Sequence, residues 1–122
     1  MGRDELREDA YDHAVLATGW HNGQSPTDPG GYGIKFTAAD RDHYFDPDWD
    51  EVEFALDTET VIVPLSPSFW RSCSEVRSAA IGRWLLEQGS APWSSGTPPV
   101  IAVEKLDGNR FTARVLRRRQ LR

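Results

Sequence analysis

Apolar positions along this chain recur at a period of two in some segments and at three- and four-residue steps in another, and the two spacings predict different elements. Val52, Phe54 and Leu56 alternate with Glu51, Glu53 and Asp57. Side chains of a strand point alternately to its two faces, so this run predicts a strand with one apolar and one acidic face. Residues 60–65 continue it as the second strand of a hairpin around a turn at Asp57 to Glu59, with Pro64 marking an edge or a strand end. A second hairpin is predicted where residues 100–106 and 110–116 flank Asp107-Gly108-Asn109, because Gly and Asn tolerate the positive φ of tight turns. Its Phe111, Ala113 and Val115 would face the core, and Arg110, Thr112 and Arg114 would face away.

The longer spacing falls at residues 67–88. Phe69, Trp70, Cys73, Val76, Ala80, Ile81 and Trp84 share one face of a predicted helix, opened by Ser66 as N-cap and Pro67 at the first helical position and stopped by Gly89. Ser72 followed by Glu75 forms a second capping box, which leaves a break near Ser72 open as an alternative to one continuous helix. Gly82 costs a helix about 1 kcal/mol relative to Ala and therefore points to close backbone packing.

The remaining segments carry weaker signals. Leu6, Ala10 and His13 are spaced for a helix over residues 4–13, and residues 14–18 read equally as its continuation or as a short buried strand. Residues 19–33 contain five glycines and two prolines, which predicts an irregular loop of a length that is often functional. Residues 34–37 read as a short strand, and residues 40–50 as an acidic connection broken by Pro47. The whole predicts a single α+β domain over residues 1–122. It has five to six short, mostly antiparallel strands able to curl into a partly open barrel, one long helix over its mouth or face, and a mobile basic tail at 117–122.

Composition narrows the setting. A length of 122 residues suits one core, and one cysteine excludes an internal disulfide. With three histidines there is no Cys/His framework for structural zinc, so neither a metal nor a cofactor is expected. The charged N-terminal segment lacks the apolar stretch of a signal peptide, and no run of about 18 apolar residues occurs, which predicts a cytoplasmic protein without membrane association. Charge changes the picture most. Residues 1–70 carry 15 Asp and Glu against 4 Lys and Arg, whereas residues 71–122 carry 4 against 10. The net −5 therefore joins an acidic half to a basic one, an asymmetry that bears on partners rather than on fold.

Several residues are candidates for chemistry. On a helical wheel Arg77 falls among Trp70, Cys73, Ile81 and Trp84, and a guanidinium on an apolar face needs a carboxylate, carbonyls or an anionic ligand. The alternative is that it snorkels past the tryptophans or pairs internally. Trp20, His21 and Asn22 open the long loop, where imidazole and amide suit acid–base or anion contacts, although no orienting partner completes a triad. Trp20 and Trp93, both in connections, are suited to stacking on a ligand or to capping a small core. Asp46, Asp48 and Asp50 have the odd spacing of a calcium loop, but Glu51 replaces its glycine and a solvated acidic turn accounts for them better. Cys73, on the apolar helix face, is expected to be an inert core thiol. Gly30, Gly31 and Gly33 precede a strand and not a helix, so they lack the context of a phosphate-cradling loop. Arg71, Arg110, Arg114, Arg117, Arg118 and Arg119 make up a basic surface able to contact phosphates.

These features are read first as a small non-enzymatic binding domain that contacts nucleic acid or an acidic protein through its Arg-rich C-terminal half. One alternative is an enzyme or small-ligand pocket built from the 19–33 loop and Arg77. Another is a salt-sensitive oligomerisation module in which acidic and basic faces of neighbouring copies meet.

Overall fold

The computed structural model describes residues 14–116. The helix expected at 4–13 and the basic tail at 117–122 lie outside them. Seven strands form one sheet: β1 (Ala14–His21), β2 (Tyr32–Lys35), β3 (Glu51–Ala55), β4 (Thr60–Pro64), β5 (Glu75–Arg77), β6 (Val100–Asp107) and β7 (Arg110–Leu116). Three short helices accompany them: α1 (Ala38–Tyr44), α2 (Pro67–Arg71) and α3 (Ala79–Glu87). The strand order is β4-β3-β7-β6-β1-β2-β5, with every neighbouring pair antiparallel except β3 and β7. The two edge strands, β4 and β5, approach each other without forming a ladder, so the sheet is a nearly closed barrel. No helix among the described residues is long and apolar enough to cross a membrane.

Both predicted hairpins form. β3 pairs with β4 in the register Val52↔Val63 and Phe54↔Val61, turning where the Leu56 N–H donates to the Glu59 carbonyl. β6 and β7 turn at Gly108, whose φ of 52° requires the left-handed region. The expected long helix at 67–88 does not form. It breaks at the Ser72 capping signal into α2, an edge strand and α3. Residues 72–78 combine three serines with a β-branched valine, a poor helical run, and the chain there finds better partners in β2. Phe36 donates its N–H to the Ser74 carbonyl, the buried Ser74 hydroxyl donates to the Phe36 carbonyl, and Ile34 faces Val76. Helix then restarts at Ser78, whose hydroxyl accepts from the Ala80 N–H at 3.1 Å. The break also moves Cys73, which is exposed and is not the core thiol expected.

The loops also differ from expectation. The 19–33 stretch is only partly irregular: β1 runs through Gly19 and Trp20 to His21, and β2 begins at Tyr32. Strand pairing outweighs glycine's low β propensity here because Gly19 takes an inward position at the barrel end that Trp93 and Pro99 fill from above. The 40–50 connection holds α1, opened by the Thr37 hydroxyl accepting from the Asp40 N–H.

Phe45, at the end of α1, enters the barrel to stack on Phe111 at 5.2 Å and to meet Phe36 and Phe69 edge-on or tilted. Burying each such ring contributes about 1.5–3 kcal/mol, so this cluster anchors one end of the core. α3 covers the other end. Its Gly82 sits on the Pro29 carbonyl of a 3₁₀ turn (Pro29–Gly31), and its Trp84 indole N–H points to the Asp57 carboxylate at 3.4 Å. The close backbone packing expected at Gly82 is thus a contact with Pro29.

Candidate functional site

Alternation decides which candidate residues meet. Val15 and Ala17 of β1, Tyr32 and Ile34 of β2, and Val76 of β5 all belong to the core. Their neighbours Thr18, Trp20, Gly33, Lys35, Glu75 and Arg77 consequently stand on the outer face. Trp20, Gly33 and Arg77 are direct cross-strand partners, forming one row over three strands. Gly33 has no side chain, so Arg77 reaches across it and places its guanidinium carbon 5.4 Å from the centre of the Trp20 indole. Only glycine fits at position 33, because a Cβ there would fall 2.1 Å from the Val76 carbonyl oxygen in the β5 backbone. Thr18, Lys35 and Glu75 make the next row.

Arg77 is therefore exposed on an edge strand and not enclosed by a helical apolar face. Among the described residues no carboxylate lies within ion-pair distance of it, and no side-chain hydrogen bond engages its N–H groups.

His21 and Trp93 belong elsewhere. His21 follows Trp20 in an extended strand and so points to the opposite side, toward the barrel end, where its ring lies 4.4 Å from Tyr32 and 6.4 Å from Trp93. Its Nδ1 accepts from the Gly23 N–H at 3.2 Å, and its Nε2–H donates to the Ser25 carbonyl at 3.3 Å. Both ring nitrogens are thus spent on the backbone of the 22–28 loop. Asn22 acts similarly: its Oδ1 accepts from the Gln24 N–H, and its own N–H donates to Gly31. Beneath the loop, the Tyr32 hydroxyl donates to the Pro26 carbonyl at 2.6 Å, and burial raises its phenol above the ordinary tyrosine value. The five residues singled out in sequence thus divide into an outer pair, Trp20 and Arg77, and a loop-forming group, His21, Asn22 and Trp93.

The basic surface also divides. Arg110 on β7 stands in parallel register with Glu53 on β3, donating to it at 3.1 Å and to Asp107 at 3.0 Å. Hydrogen bonding to Glu53, then the charge of Asp107, holds the Arg110 guanidinium above its ordinary pKa. The acidic and basic halves meet along this seam. Arg71 and Arg114 are exposed and have no ion-pair partner among the described residues, while Arg117, Arg118 and Arg119 lie outside them. In the acidic half, the Asp46 carboxylate accepts from the Asp48 N–H at 2.9 Å and closes a local turn. No group of three or more His, Cys, Asp or Glu among the described residues is arranged to hold a metal ion.

Sequence reasoning missed Gly33 and Lys35 as parts of the outer face. The signal was present in the alternation Tyr32, Ile34, Phe36, which extends strand character back into the glycine-rich stretch. Comparison with models of protein families, with curated proteins and with solved structures finds no match for this chain.

Proposed function

We propose that this chain is a small binding domain for an anionic partner, and that the contact surface includes the outer face of β1, β2 and β5. The observation that carries this reading is the exposed Arg77 guanidinium lying on Trp20 without a carboxylate partner among the described residues. A cation held against an aromatic ring keeps its charge and donors available at a reduced entropic cost. Arg114 and Arg71 add charge to the same reading, whereas Arg110 contributes little because Glu53 and Asp107 already neutralise it. A pocket built from Trp20, His21 and Arg77 together is disfavoured by alternation, which sends His21 and Trp20 to opposite sides of β1.

The test is equilibrium binding to labelled DNA and RNA strands over a range of salt concentrations. Binding to phosphates through a few cations releases counterions, so affinity should fall steeply and linearly on logarithmic axes as salt rises. Arg77→Ala should weaken it while leaving the melting temperature near that of the parent, since the side chain is exposed. Absence of binding to any polyanion at low salt would remove the proposal.

A further inference from the structure

Resting on the reading of the β1–β2–β5 face as an anion-binding surface, we infer that its ligand is single-stranded nucleic acid, with a base extending the Trp20–Arg77 stack and a phosphodiester on the guanidinium edge. The Arg77 guanidinium carbon lies over the Trp20 ring, 5.4 Å from its centre, and no hydrogen bond among the described residues engages the guanidinium N–H groups. Its N–H donors therefore remain available to a ligand. The planar fork matches the paired oxygens of a phosphate or carboxylate, and a guanidinium plane is itself a stacking surface for a base.

Charge on the same face narrows the anion. Lys35 stands directly across from Glu75, and Arg77 follows two residues later on the same side of β5. The three groups sum to one positive charge. A dianionic phosphomonoester would bring its second charge against Glu75, whereas a phosphodiester or a carboxylate brings only one.

The aromatic group then separates these two. An acidic peptide engages the guanidinium edge alone and gains nothing from Trp20 beyond its hold on Arg77. A nucleotide strand gains twice, from the edge and from the stack. A duplex gains only the edge, because its bases are already stacked inside. The row of Trp20, Gly33 and Arg77 on three adjacent strands also suits a strand laid across a sheet, with Gly33 leaving the centre low.

The experiment measures binding of the full chain to four labelled probes of about ten units, a length within the usual span of single-strand sites. They are oligothymidylate, a duplex of the same length, an abasic deoxyribose-phosphate strand and polyglutamate. Oligothymidylate should bind about ten-fold more tightly than the other three. Arg77→Lys, which keeps the charge but loses the plane, and Trp20→Ala should each abolish that preference while leaving abasic-strand binding within about two-fold. Trp20→Phe serves if the alanine variant melts early, and should retain part of the preference. Equal binding of abasic strand, duplex or polyglutamate would overturn the ligand assignment while leaving the anion-binding reading intact. No binding to any probe would overturn both.

Discussion

Replacing Gly82 with alanine sets two effects of opposite sign against each other. In an isolated helix the change stabilises by about 1 kcal/mol, because alanine loses less backbone freedom than glycine. In this fold a Cβ at position 82 would lie 1.9 Å from the Pro29 carbonyl oxygen and 2.6 Å from its carbonyl carbon. Relaxed contact needs roughly 3.5 Å, so α3 and the 3₁₀ turn must separate by about 1.5 Å. The turn resists, since the Asp28 carboxylate accepts from the Gly30 N–H at 3.0 Å and the Asp28 carbonyl from the Gly31 N–H at 3.1 Å. Movement of α3 would instead loosen the fully buried Ile81 and Leu85. Overpacking against backbone belongs at the upper end of the usual range, about 3 kcal/mol, which leaves a net loss of about 2 kcal/mol after the propensity gain. A domain of this size should then melt about 8 °C lower. Urea unfolding followed by circular dichroism should show a lower midpoint with an unchanged slope. An alanine variant as stable as the parent, or more so, would refute the seating of α3 on Pro29.

Two more predictions concern side chains that the fold places unexpectedly. Because burial raises the Tyr32 phenol, the unfolded chain releases that proton first as pH climbs past about 10. The associated stability is present below that pH and is lost as pH rises through the higher folded value. Tyr32→Phe should flatten the alkaline part of the stability profile and cost about 1 kcal/mol at neutral pH, where the Pro26 carbonyl loses its donor; parallel profiles for both proteins would contradict this. Cys73, being exposed, should react with a thiol reagent in the native protein at nearly the rate seen in urea, and strong protection would show that the segment around it packs otherwise.

The hairpins were legible because each carries its own evidence: alternation specifies a face, and the turn residues specify where the chain reverses. The helix expected over 67–88 does not form: apolar spacing across Phe69, Val76 and Ile81 suits both one continuous helix and a helix–strand–helix path. Only the partner at Phe36, which takes both the carbonyl of Ser74 and its hydroxyl, selects the second. The same selection turned Arg77 from a residue of a helical face into one of an exposed edge. The candidate site shows the same division. Trp20 and Arg77 stand out by residue type, but their meeting depends on Gly33, which reads in isolation as a loop residue.

Length, composition and local pattern by themselves determined a mixed α+β chain with hairpins at 51–64 and 100–116, an apolar interior and a charge imbalance between its halves. These are properties of neighbours in sequence, and alternation or turn chemistry suffices to encode them. Tertiary structure alone decided the near-closure of the sheet, the edge strand at Glu75–Arg77, the Glu53–Arg110 seam and the stack of Arg77 on Trp20. Each of these depends on the register between strands distant in sequence, which is set by how the whole core packs.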